Sequence, residues 1–138
     1  MIRRARVDDM SDVFEIRRIV FIEGQNVPEE EERDGKDADA IHLIALEDGK
    51  PVGTARLLIK GATGKIGRVA VLAEMRGKGL GKAIMDVALE ELRKEGIAKA
   101  KLSAQTHALE FYEALGFVAE GPEFLDAGIL HRDMTRAL

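Results

Sequence analysis

The chain of 138 residues has no cysteine, one tyrosine, three prolines and only 4% aromatic residues. Without cysteine it can form no disulfide, thiolate metal site or thiol nucleophile, which fits a reducing cytoplasm. It also lacks any apolar run approaching the roughly 18 residues that cross a membrane as a helix. The start, Met1-Ile2-Arg3-Arg4-Ala5-Arg6, is basic but leads into no apolar stretch of the signal-peptide kind. A cytoplasmic protein without a membrane partner is therefore expected. A net charge of −4 argues against general nucleic-acid binding, which needs clustered cations. His42, His107 and His131 lack zinc-like spacing, so no metal is expected. What remains is an ordinary globular composition, 46% apolar and 33% charged, suited to one domain over residues 1–138.

The segment Arg76-Gly77-Lys78-Gly79-Leu80-Gly81-Lys82 carries the strongest local signal. It follows the apolar run Ile66–Leu72 and opens a helical pattern with Leu80, Ile84, Val87, Ala88 and Leu92 on one face. Gly96 stands where that helix would be capped. A glycine-rich turn at a helix N-terminus aims several unpaired N–H groups at one point, reinforced by the helix dipole. Such a point attracts a phosphate or pyrophosphate. The P-loop pattern fails, with Arg76 at its first glycine and Ala83 at its hydroxyl position. The dinucleotide pattern fails at Lys82, its third glycine.

Elsewhere, Ile2–Val7 reads as a strand, and Asp8 or Asp9 can cap a helix with Met10, Val13, Phe14, the stem of Arg17, Val20 and Phe21 on its apolar face. Ile41–Leu46 and Val52–Ile59 read as a hairpin turned at Asp48-Gly49, and Ile66–Leu72 follows as the next strand. Ala98–Ala104 is a fifth strand, 108–115 a short helix, and strands from Phe117 and near Ile129–Met134 close the chain. The order implies a mixed α/β sheet flanked by helices. Residues 23–39 hold eight acids and two bases, a local net of −6. That segment is either a solvated loop or short helix, or a field that steers a cationic substrate or docks a basic protein. Positive charge at Arg68, Arg76, Lys78 and Lys82 would suit an anionic cofactor at the glycine turn.

With Val69-Ala70-Val71-Leu72 before it, the R-G-x-G-L-G turn resembles the signature of the GNAT superfamily of acetyl-CoA-dependent N-acetyltransferases. A second block, Ala108-Leu109-Glu110-Phe111-Tyr112-Glu113-Ala114-Leu115-Gly116-Phe117, matches that family's A-x-x-x-Y-x-x-x-G-F segment. Val20–Pro28, Asp34–Asp37, His42, Ala104-Gln105 and Gly128–His131 with Met134 are similar to its ElaA-like branch. Many relatives carry Pro at the Ala73 position and Asn at the Gln105 position.

The resemblance implies an α/β (α+β) fold: a mostly antiparallel sheet of six or seven strands with about four helices, splayed where acetyl-CoA binds. It implies direct attack of an amine on the acetyl thioester, without a covalent enzyme intermediate. Val69, Ala70 and Val71 would supply backbone contacts, the Val71 amide donating to the acetyl carbonyl. The amides of Arg76, Gly77, Lys78, Gly79, Leu80, Gly81 and Lys82 would hold the pyrophosphate. Gln105, Ala108, Phe111 and Tyr112 complete the implied cofactor contacts, and Tyr112 occupies the general-acid position. A phenol near ~10 is a weaker acid than a thiol near ~8.5. Tyr112 is therefore expected first as a hydrogen-bond donor to sulfur; the alternative is a core tyrosine bonded to a backbone carbonyl.

Glu23 and His42 are candidate bases, each with a structural alternative: a surface glutamate and a hydrogen-bonded histidine. The same alternative holds for His131, while His107 reads as the start of the short helix. Gln25 is a possible contact to the acceptor or the pantetheine, and Arg56 either binds an acidic substrate group or stacks at a sheet edge. A non-catalytic acyl-CoA sensor or interaction module is the competing function, and homodimers are common in the superfamily.

Overall fold

Seven strands and four α-helices follow one another in the computed structural model, which describes residues 1–138. The first half runs β1 (Ile2–Arg4), α1 (Met10–Arg17), α2 (Glu29–Glu32), β2 (Ile41–Glu47), β3 (Lys50–Lys60) and β4 (Thr63–Val71). The second runs α3 (Leu80–Lys94), β5 (Lys99–Gln105), α4 (Leu109–Glu113), β6 (Val118–Asp126) and β7 (Ile129–Ala137). All strands join one sheet in the order β1-β2-β3-β4-β5-β7-β6. Every pairing is antiparallel except that of β4 with β5. No helix is long and apolar enough to cross a membrane.

Local chemistry explains the main elements. Asp48 and Gly49 both take positive φ, 49° and 78°, as a two-residue hairpin turn requires. On α3 the residues Ile84, Ala88 and Leu92 recur at helical spacing with Met85 and Leu89 beside them, and all five are buried. The helix ends in a Schellman motif at Gly96 (φ 73°), where Ile97 N donates to Leu92 O and Gly96 N to Arg93 O, both at 3.0 Å. Its close seat on the sheet depends on Gly64, because a Cβ there would lie 2.4 Å from Leu92 Cδ2. α3 and the facing side chains Leu43, Ala55, Leu57, Ile66 and Leu102 form the main core. The opposite face is covered by α1 and its continuation, where Ile16 and Val20 meet Ala70.

Three local features depart from the sequence expectation. β1 stops at Arg4, because Val7–Asp9 forms a 3₁₀ turn in which Arg6 N donates to Asp9 Oδ2 at 2.7 Å. The first helix widens into a π-helical stretch, Arg18–Glu23, whose five-residue hydrogen bonding leaves no trace in a 3.6-residue apolar pattern. β4 carries a bulge: the register steps from Thr54↔Ala70 to Arg56↔Gly67, and Arg68 sits at φ 49°. The bulge resets the alternation, so Val69 and Val71 join Ile66 on the α3 side while Ala70 turns to α1.

Candidate active site

β4 and β5 pair only at Thr63–Lys65 with Lys99–Lys101, then part company. Between their free ends lies a cleft of about 780 Å³, lined by Val69 of β4, by Ser103, Ala104 and Gln105 of β5, and by Ala108 and Tyr112 beyond it. Leu72 N donates to Val52 O at 3.0 Å. The alternation of an antiparallel ladder then turns the Val71 N–H and C=O away from β3, into the space β5 has left. The Val71 carbonyl accepts a hydrogen bond from Arg76 Nε at 3.2 Å, which ties the glycine turn to the strand end.

The turn itself is shaped by Gly77 and Gly79, at φ 78° and 81°. Gly79 is the N-cap of α3 and supplies no side-chain cap, and the first amide bonded back into the helix is Ala83 N, to Gly79 O at 3.1 Å. The N–H groups of Leu80, Gly81 and Lys82 are thus left for an external acceptor. A Cβ on Gly77 or Gly79 would meet nothing within 4 Å, so the space before these amides is open. Phe111 of α4 borders it, its Cζ 3.6 Å from the place of a Gly81 Cβ. Lys78 and Lys82 are exposed, and Lys82 pairs with Asp86 at 3.0 Å. This is what an anionic phosphate group requires.

Tyr112 packs edge-on against Phe111 (5.0 Å between ring centroids) and Phe117 (6.2 Å), which fixes the ring. The residue lines the cleft. Burial pushes the phenol above its ordinary value of 10.0, so it stays protonated and able to donate.

The other wall is the acidic segment. Arg17, Glu32, Arg68, Asp34, Arg56 and Asp37 form a closed ring of alternating charge, with successive separations of 2.9, 2.8, 3.3, 2.8, 3.1 and 2.7 Å back to Arg17. Arg17 is fully buried and Glu32 is 2% exposed. Bonds from Arg56 hold the Asp34 carboxyl well below the usual carboxylate range. At Asp37 burial works in the opposite direction, but bonds from Arg17 and Arg56 outweigh it and keep the group low. Arg17 and Arg68 also donate to the Glu32 carbonyl, at 3.1 and 3.0 Å, satisfying the C-terminal end of α2. Arg33 lies over the Phe14 ring at 3.8 Å. The ring fastens residues 32–37 onto α1, β3 and β4, and Glu30, Glu31 and Lys36 line the cleft beside it.

Several sequence candidates therefore sit elsewhere than expected. Arg68 is not at the glycine turn, because the β4 bulge sends it into the ion ring. Arg56 is neither at a sheet edge nor free for substrate, being bound by Asp34 and Asp37. Glu23 lies outside the cleft, exposed and paired with Arg18. His42 is buried with Nε2 2.9 Å from the Asp37 carbonyl, and also lies outside the cleft. Ala70 is buried against Ile16 and Val20, so only its backbone can face a ligand. Gln105 Nε2 donates to Gln25 Oε1 at 2.9 Å and Gln105 Oε1 accepts from His107 Nε2 at 2.7 Å, a chain from β5 to the segment after α1. His107 and His131 both line the cleft, a placement that sequence spacing does not reveal.

Comparison with known proteins agrees with this architecture. The family profile described as acetyltransferase (GNAT) domain matches residues 15–138. The uncharacterised N-acetyltransferase YjcF of Bacillus subtilis is 40% identical over 131 residues, covering 94% of this chain and 93% of that protein. Among solved structures, an acyl-CoA N-acyltransferase from Pseudomonas aeruginosa superposes with a TM-score of 0.89 at 32% identity, covering 99% of this chain and 97% of the other. ElaA of Escherichia coli superposes with a TM-score of 0.87 at 28% identity, covering 99% of both chains.

Proposed function

The chain belongs to the GNAT acetyltransferase family, and from that premise we propose that it moves an acetyl group from acetyl-CoA to a primary amine of a small molecule or peptide. The reading rests above all on one observation: an uncapped glycine turn lies at the end of the strand that borders the β4–β5 gap. The pyrophosphate of acetyl-CoA binds the amides of residues 76–82, with Lys78 adding charge. The pantetheine arm passes through the gap along Val69, Ala70 and Val71, with Ala108 and Phe111 on the other side. Residues 1–138 act as a single catalytic domain.

Amine and thioester meet where the gap opens between the two sheet faces. Holding them there replaces an encounter in solution by an oriented pair. The Val71 N–H, directed into the gap, donates to the acetyl carbonyl oxygen as negative charge develops on it. Tyr112 donates its hydroxyl hydrogen to the thioester sulfur as the C–S bond breaks. Because burial raises its pKa, complete transfer to a thiolate is uphill until the amine nitrogen gives up a proton in turn.

Thiol release from acetyl-CoA, followed with a panel of primary amines, tests the activity. Tyr112→Phe should lower kcat by about tenfold or more while leaving CoA affinity intact. Turnover within about twofold of wild type would remove Tyr112 from the mechanism.

A further inference from the structure

An alkylammonium, with a pKa near ~10.4, must lose a proton before its nitrogen can attack. No group assigned above takes that proton. We infer that His131 is the general base, an assignment that rests on the acetyl-transfer reading.

His131 lies on β7 and is 8% exposed. Its Nδ1 is 2.7 Å from the Ile129 carbonyl oxygen. A carbonyl only accepts, so Nδ1 carries the hydrogen and Nε2 holds the lone pair. Nδ1 is thus the ring nitrogen tied to the protein, and the residue lines the cleft. Phe124 stacks on the imidazole at 5.9 Å and 22°, which fixes the plane of the ring. The β5–β7 register pairs Gln105 with His131 and Leu102 with Met134. Leu102 and Met134 belong to the core under α3, so Gln105 and His131 face the opposite side. Gln105 there bonds to Gln25. His131 thus stands on the face away from α3, across the β4–β5 gap from the acidic segment.

The other histidines fit the task less well. The unbonded nitrogen of His42 is Nδ1, sealed from solvent outside the cleft. His107 is exposed, and its Nε2 is spent on Gln105. Charged and titratable groups facing the cleft from neighbouring elements are His107, Tyr112, Asp126, Lys65, Glu30, Glu31, Lys36 and the ion-ring members Glu32, Asp34, Arg56 and Arg68. On β7 itself Asp133 is held by Ser103 at 2.7 Å and faces Lys101 at 3.8 Å.

Nε2 accepts one proton from the ammonium, directly or through one water, and passes it to solvent after turnover. The freed nitrogen attacks the acetyl carbon, the C–N bond forms, and the C–S bond breaks with its electron pair on sulfur. The second amine proton ends on that sulfur, relayed by Tyr112.

The test joins a pH profile of kcat/KM with nitrogen NMR of the histidine rings. His131→Asn keeps a donor toward Ile129 O but has no titrating nitrogen. It should bind CoA as wild type does, lose about a hundredfold in kcat/KM near neutrality, and lose the acid limb of the profile. The deficit should shrink as pH rises toward the amine's own pKa, and His107→Asn should keep the acid limb. In the wild-type protein, NMR should find the ring hydrogen on Nδ1 of His131, a readout that stands even if His131→Asn does not fold. A retained acid limb in His131→Asn, a loss under about threefold, or a ring hydrogen on Nε2 would overturn the assignment. Wild-type protein that binds CoA but acetylates no amine overturns both the acetyl transfer and the base; absence of CoA binding overturns the cofactor site itself.

Discussion

Replacing Glu32 by Gln tests whether the ion ring builds the acceptor side of the cleft. Arg17, Arg56 and Arg68 balance Glu32, Asp34 and Asp37, so the ring is neutral as a whole. Glu32→Gln leaves it one positive charge in excess, next to a guanidinium with no solvent exposure. Removing one partner of a buried pair costs about 3–5 kcal/mol, because the other charge stays desolvated. Two features point to the lower end. Arg17 keeps Asp37 at 2.7 Å, and a glutamine oxygen still accepts one hydrogen bond. About 3 kcal/mol is a large share of a total of roughly 5–15 kcal/mol. In urea unfolding the midpoint should fall by about 1–2 M, and Tm should drop by roughly 10 °C or more.

Glu29→Gln, one turn earlier on the same helix and exposed, should stay within about 0.5 kcal/mol. Joint replacement, Arg17→Met with Glu32→Leu, should cost less than the two single changes added together, since neither charge is then stranded. The KM for the amine should rise in Glu32→Gln, while CoA affinity, which we propose the glycine turn to supply, should not move. A Glu32→Gln protein within about 1 kcal/mol of wild type would refute the ring as the anchor of this wall.

Two further outcomes follow from single sites. Gly79→Ala puts a side chain at φ 81°, which costs about 1–2 kcal/mol or forces the turn to relax and re-aim the amides of residues 80–82. Calorimetry should show CoA affinity reduced about tenfold or more, and unchanged affinity would exclude these amides as the pyrophosphate cradle. The second outcome concerns acid. The folded-state pKa of Asp34 lies below its unfolded value, so its contribution to stability is complete above about pH 4 and is lost as pH falls below that. Urea midpoints measured from neutral to strongly acid pH should decline below about pH 4 in wild type and decline less in Asp34→Asn; equal slopes would show that the Arg56–Asp34 bonds do not govern acid sensitivity.

What was legible in the sequence was what short-range chemistry determines. Positive-φ glycines mark the turn at 76–82 and the end of α3 at Gly96, and Asp48-Gly49 marks the hairpin. Apolar periodicity identified α3 and the central strands. The A-x-x-x-Y-x-x-x-G-F block placed Tyr112 beside the glycine-turn helix, where Phe111 meets Gly81. What stayed hidden depends on distant partners. The Arg68 bulge is a register event between two strands. The fate of Arg17, read as an apolar-face stem, is set by carboxylates 15 and 20 residues away. His131 reaches the cleft only because β7 inserts between β5 and β6.

The same long-range pairing changes what the acidic segment can do for catalysis. Residues 23–39 carry a net charge of −6 on paper. Arg17, Arg56 and Arg68 bind Glu32, Asp34 and Asp37, and Arg18 binds Glu23. Counting those partners leaves −2, spread over exposed side chains. At physiological salt, charges more than about 8 Å apart are largely screened. A residual of that size therefore adds little long-range steering of a cationic amine. On the acetyl-transfer reading, selection of the acceptor comes from contact within the cleft, where Glu30, Glu31, Gln25 and His131 line the wall. On the same reading the acyl side relies instead on backbone N–H groups, which any sequence with the same turn could present. The glycine turn belongs to α3 on one face of the sheet and the acidic segment is fastened to α1 on the other, so on the proposed reading the acceptor wall can change while the cofactor turn stays fixed.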